Sequence, residues 1–102
     1  MKTRIRPRAW LDIEETMTHL KEKAGLDAGA RFYDKVRASV ARLADYPEIG
    51  PMRQDLEPAG IRSWHVARPF ENWLIFYRIS GDYLEILRIK HGAMNLPALF
   101  ED

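Results

Sequence analysis

The chain has 102 residues, 46% of them hydrophobic and 30% charged, enough for one core and too few for two, so a single domain over 1–102 is expected. It contains no cysteine, which excludes disulfides, thiolate metal sites and a cysteine nucleophile and makes the reducing cytoplasm the expected location. Sixteen basic residues against 15 acidic ones leave a net charge of +1, so total charge selects neither nucleic acid nor an acidic partner.

In chain order, Lys2, Arg4, Arg6 and Arg8 alternate ahead of the first acid, Asp12. Arginine suits bidentate contact with phosphate or carboxylate, although solvated strand and helix-start positions use it equally well. The segment shows no apolar stretch of secretory-leader type before Pro7. Thr3 to Arg6, closed by Pro7, reads as a short edge strand, because the residue before proline favours an extended backbone. From Arg8 on, Trp10, Ile13, Met17, Leu20 and Ala24 recur at spacings of three and four, one face of an amphipathic helix. Asp12, Glu14 and Glu15 lie early in it and Lys21 and Lys23 late, the order that the helix dipole favours. Gly25 supplies a stop, and Asp27 is a candidate side-chain cap for a second helix. That helix presents Phe32 or Tyr33, then Val36, Val40 and Leu43, and ends at Tyr46-Pro47.

Glu48 to Gly60 holds Gly50, Pro51, Pro58 and Gly60 without either period and reads as a surface loop. Three strands follow, Ile61 to Ala67, Asn72 to Ser80 and Tyr83 to Lys90, the last two joined by Ser80-Gly81-Asp82 as a tight hairpin turn. The run Trp73 to Tyr77 is apolar on both faces, as a central strand requires, and is far too short to span a bilayer. Met94 to Phe100, with Pro97 inside it, predicts a short helical turn or an extended tail. The expected fold class is α+β, an N-terminal strand and a two-helix hairpin followed by a three-stranded antiparallel meander.

With the elements in place, a family resemblance emerges. The helix start Trp10-Leu-Asp-Ile-Glu-Glu, the helix end Leu43-Ala-Asp-Tyr-Pro-Glu-Ile-Gly50, the segment Gly60-Ile-Arg62, the strand Ile75-Phe-Tyr-Arg78 and the closing Leu84-Glu-Ile-Leu-Arg-Ile-Lys-His-Gly92 resemble, in order, the RelE/ParE toxin superfamily. The resemblance implies a toxin of a bacterial type II toxin-antitoxin, or plasmid stabilisation, system, neutralised by a small cognate antitoxin protein. RelE-like members cleave messenger RNA on the ribosome, whereas ParE-like members inhibit DNA gyrase by binding. The nuclease arginine of the first branch would fall near Asn72-Trp73, and no tyrosine follows His91-Gly92, so the pattern is closer to ParE. Met94 and Asn95 depart from the arginine and aspartate that often follow the His-Gly pair in that branch.

The expected function is therefore gyrase inhibition. A RelE-like ribosome-dependent endoribonuclease is the alternative, and a degenerate member that is no longer toxic is the second. RNA cleavage would need a base, an acid and cationic donors, for which the candidates are Arg62, Arg88 and His91, with Arg78 and Glu85 in reserve. Target contact is expected from Arg88, Lys90, His91, Met94, Leu96, Leu99 and Phe100, a cationic start followed by apolar anchors. Antitoxin docking is expected on Tyr46, Ile49 and Met52. Strict alternation puts Arg88 on one face with Leu84 and Ile86, and Glu85 with Leu87, Ile89 and His91 on the other. An arginine among apolar neighbours also fits a purely structural role, pairing with an internal carboxylate or bonding backbone carbonyls. No cofactor or metal is expected, since His19, His65 and His91 lack ligand spacing, and Ser39, Ser63 and Ser80 sit in no nucleophile elbow. Trp10 and Trp73 are expected in the core, while Trp64 and Phe70 either close the sheet or face a partner.

Overall fold

In the computed structural model, which describes residues 1–93 and residue 100, the order is β1 (Lys2–Ile5), α1 (Pro7–Ala24), α2 (Ala28–Asp45), β2 (Arg62–His65), β3 (Trp73–Ser80) and β4 (Tyr83–His91). Proline stands in the first turn of α1, where no amide proton is needed. Gly25 ends the helix at φ 100°, a conformation costly for any side chain, and its N–H returns to the Lys21 carbonyl. Because α1 starts at Pro7, its first turn contains no acid; Asp12 belongs to the second turn, and its place is explained by burial rather than by the dipole. The expected Asp27 cap is also absent. Asp27 occupies the N-cap of α2 with an αR backbone and makes no side-chain capping bond.

The apolar stripe of α1 runs through Ala9, Asp12 and Ile13, so Trp10 falls on its flank and is 40% exposed instead of buried. In α2 the stripe selects Phe32 over Tyr33 and continues through Val36, Val40 and Leu43. Both stripes pack on one face of a four-stranded sheet of order β1-β4-β3-β2, in which β1 is parallel to β4 and the other pairs are antiparallel. Ile75, Tyr77, Leu84, Ile86 and Ile89 meet the helices there, with Trp64, Phe70 and Trp73 half-buried against them. The meander and its central strand β3 are as the sequence predicts, and the first strand is an edge, as expected.

Two features were not legible in the pattern. The loop from Glu48 to Gly60 contributes a buried residue, Leu56, which with Ile61, Phe76 and Phe100 forms a second, smaller core on the opposite face of the sheet. In addition, the β3–β4 register jumps from Phe76↔Arg88 to Tyr77↔Ile86, leaving Leu87 as a bulge. A bulge adds one residue to one strand and flips the alternation beyond it. Leu84, Ile86 and Ile89 therefore share the helix face while Leu87 packs on the other. This corrects the strict alternation: Arg88 leaves the face of Leu84 and Ile86, and His91, opposite Trp73, is separated from Glu85.

Candidate functional site

β1 has only four residues, so the pairing of β4 with it stops at Ile86, apart from one further bond from the Arg6 amide to the Ile86 carbonyl. Beyond that point the side chain of Asp12, 3% exposed, takes the place of a neighbouring strand. Its Oδ2 accepts from the Ile89 amide at 3.0 Å and from Arg88 Nε at 2.8 Å, and its Oδ1 accepts from Arg88 Nη2 at 3.1 Å. Lys90 Nζ lies 3.1 Å from the same Oδ1 and 3.9 Å from Glu15. A bidentate arginine pair is the geometry that best repays the desolvation of two charges. The sequence carried one signal for this arrangement, an acid inside the apolar segment Trp10-Leu11-Asp12-Ile13.

His91 closes the strand. Its Nδ1 accepts from the Ala93 amide at 3.1 Å, and its ring meets Trp73 edge to face at 5.0 Å. It lines a cleft of about 280 Å³ with Glu15, Thr16, His19, Trp73 and Lys90. Sequence spacing gave no hint that His19 and His91 share one cleft. Among the described residues no three potential ligands are placed to hold a metal ion. Met94, Leu96 and Leu99 lie outside the described residues, and Phe100 packs on Phe76 with ring centroids 5.9 Å apart.

Arg62 is directed elsewhere. Its Nη1 donates to the carbonyls of Gly50 at 2.7 Å and Glu48 at 3.3 Å, binding the exit of α2 to β2. Tyr77 completes this staple, its hydroxyl donating to the Pro47 carbonyl at 2.8 Å and accepting from the Gly50 amide at 3.0 Å. Burial pushes the Tyr77 phenol up from its ordinary value, opposed by the Gly50 bond and by Arg62. A Cβ on Gly50 would lie 2.5 Å from the Ser63 carbonyl oxygen and 2.6 Å from the Tyr77 hydroxyl, so the close approach requires glycine.

The three candidate nuclease residues are thus not assembled. Arg62 stands in the row of Tyr77 and His91 in the row of Trp73, roughly 13 Å apart along the strand direction, and Arg62 and Arg88 already serve the protein's own acceptors. The structural role weighed for these two arginines is the one the contacts display. The stapled loop leaves an open depression of about 590 Å³ lined by Arg42, Asp45, Tyr46, Pro47, Glu48 and Ile49. Tyr46 is 60% exposed there and Ile49 is half-buried. Met52, the third member of the expected antitoxin patch, instead lines a separate depression with Arg53, Leu56 and Gly60.

A further cluster forms around Glu85, whose side chain is 4% exposed. Arg78 Nε donates to Oε1 at 3.0 Å and Arg6 Nη1 to Oε2 at 3.4 Å, while Arg4 Nη1 lies 4.0 Å away. The Arg78 hydrogen bond, helped by the charges of Arg78, Arg6 and Arg4 and opposed by burial, holds the carboxyl below the usual range.

Residues 3–96 match the family model described as the ParE toxin of the type II toxin-antitoxin system parDE, and the chain belongs to that family. It is 31% identical over 87 residues to Toxin ParE3 of Caulobacter vibrioides, covering 85% of this chain and 82% of that protein. It is 27% identical over 95 residues to Toxin ParE1 of the same organism, with 93% of each covered. The fold matches a chain of a chromosomal ParDE toxin-antitoxin system from P. aeruginosa at a TM-score of 0.74 and 21% identity, covering 89% of this chain and 95% of that one.

Three outcomes follow from these contacts. Asp12→Ala leaves cations and an amide without their shared acceptor and is expected to destabilise by about 3 to 5 kcal/mol in urea unfolding. Tyr77→Phe removes the acceptor of the buried Gly50 amide and is expected to cost about 1 to 3 kcal/mol. Because the Glu85 carboxyl is lowered in the folded state from an ordinary value of 4.5, its contribution is complete above that value and is lost as pH falls through the lowered one. The stability gap between the parent and Glu85→Gln is therefore expected to narrow when urea midpoints are compared at about pH 6 and about pH 3.

Proposed function

We propose that this ParE family member is the toxin of a type II pair that inhibits DNA gyrase by binding and is held inactive by a cognate antitoxin. Family membership supports the toxin reading. The observation that carries binding over RNA cleavage is the engagement of Arg62 by the Glu48 and Gly50 carbonyls and of Arg88 by Asp12, which leaves the candidate nuclease set dispersed. Gyrase is the target expected from the branch, and the contact is assigned to His91 at the strand end with the following Met94, Leu96, Leu99 and Phe100; Arg88 and Lys90, expected there from the sequence, are engaged by Asp12 instead and position the strand end.

The antitoxin surface is assigned to the depression carrying Tyr46 and Ile49, with Met52 as an outlying contact. An exposed aromatic beside a rigid backbone offers contact area at small cost in conformational entropy. A tail that is disordered alone and orders on such a surface suits release by proteolysis.

The purified protein is expected to inhibit gyrase supercoiling while leaving messenger RNA intact in a parallel translation reaction. Truncation after Gly92 is expected to abolish inhibition with folding and antitoxin binding retained; since it also removes Phe100 from Phe76, unfolding or loss of antitoxin binding marks the tail as structural and removes the assignment. Site-specific cleavage that disappears in folded Arg62→Ala or His91→Ala would reverse the choice of branch. Tyr46→Ala is expected to weaken antitoxin binding at least about tenfold by calorimetry; unchanged affinity removes the docking assignment.

A further inference from the structure

The alternating basic residues of the N-terminus have no part in the function proposed above, yet the fold gathers them. In β1, Lys2 pairs opposite Tyr83 and Arg4 opposite Glu85, on the face of the sheet turned away from the helices. Arg6 reaches the same carboxylate from the strand end, and Arg78 reaches it from β3. Three cations, Arg4, Arg6 and Arg78, therefore border one acid, and Lys2 stands beside them opposite Tyr83. That acid is almost wholly enclosed, whereas the side chains of Arg4, Arg6 and Arg78 remain 51%, 50% and 39% exposed.

A structural ion pair needs one cation for one carboxylate, and Arg78 at 3.0 Å meets that need. Each guanidinium has five N–H donors in a rigid fork, so most of the donors of Arg4 and Arg6 remain available. Glu85 orients them from beneath, and Arg4 Cζ lies over the Tyr83 ring 4.1 Å from its centroid, with Lys2 Nζ 6.0 Å from the same ring. In a chain of net charge +1, such an excess of one sign at one edge is a local field of the kind that attracts a polyanion.

We infer that the strip Lys2, Arg4, Arg6 and Arg78 on the outer face of β1, β4 and β3 binds the phosphodiester backbone of a nucleic acid strand. Alternate residues of an extended strand are about 6.6 Å apart, a repeat comparable to successive phosphates along an extended single strand. Lys2, Arg4 and Arg6 follow one another along the sheet edge and Arg78 stands across β4 from Arg4, a narrow basic band that suits one backbone. The inference stands apart from the choice of gyrase: a chain that inhibits supercoiling without binding oligonucleotide, or the reverse, separates the two.

The test is fluorescence anisotropy of the full chain with a labelled 20-base oligothymidine, and with oligouridine to distinguish the sugar. Affinity is expected to fall roughly 50-fold between about 50 and 200 mM salt, as four phosphate contacts on a single strand imply. Lys2→Ala with Arg4→Ala leaves Arg6 and Arg78 on Glu85 and is expected to reduce the salt slope by about 0.7 for each cation removed, with the melting temperature confirming the fold. Arg4→Lys retains the charge and is expected to retain the slope. The matched pair Arg31→Ala with Lys35→Ala, exposed on α2, is expected to change nothing. The inference is overturned by absence of salt-dependent binding, by equal losses in the strip and α2 variants, or by tighter binding of a polyglutamate peptide of equal charge, which would assign the strip to an acidic protein.

Discussion

The carboxylate of Asp12 joins the two layers of this protein. Helix α1 lies across the end of a sheet whose first strand is too short to cover the last one, and the uncovered edge of β4 presents the Ile89 amide together with Arg88 and Lys90. One side chain accepts from all three. Removing a buried acceptor exposes each donor to the full cost of desolvation, so helix position, strand edge and side-chain placement hold or fail together. The bulge at Leu87 is part of the same arrangement. It keeps Ile89 on the helix face while Arg88 and Lys90 leave it and turn around the edge to the acid.

The second layer junction, at the exit of α2, is built without paired charges. Tyr77 contributes one buried hydroxyl as donor and acceptor, Arg62 bonds two carbonyls, and Gly50 permits the approach. Nearly every bond is to backbone, so the path of the loop is determined whatever the exposed side chains are. A loop fixed in this way would need little additional ordering to meet the antitoxin in the docking proposed at Tyr46.

Asp12 and Glu85 are both enclosed acids on or beside β4, and their surroundings differ in one decisive respect. The donors around Asp12 are themselves largely enclosed, Arg88 at 10% and Lys90 at 19% exposure, so that charge is spent within the fold. Around Glu85 the arginines are half in solvent, where ion pairs contribute little to stability and leave donors for an external anion. Similar residue types therefore do structural work at one end of β4 and present a charged surface at the other.

Periodicity alone determined the element order, both helical stripes to within a residue or two, the edge position of the first strand, the central position of β3 and the hairpin at Gly81, because local spacing records which side of an element is buried. The resemblance of five ordered segments pointed to the family that the match over residues 3–96 shows. What sequence spacing could not register was any interaction between distant positions: Asp12 with Arg88, 76 residues apart, Gly50 with Tyr77, and Arg6 with Glu85, 79 apart. The bulge at Leu87 was equally hidden, since strict alternation is the only rule a strand pattern offers and one inserted residue reverses every side chain beyond it. Trp10 was assigned to the core and Arg88 to the face of Leu84 and Ile86 for that reason: a stripe states that a face is buried, and only the packed neighbours decide its rim and which charges find a partner inside.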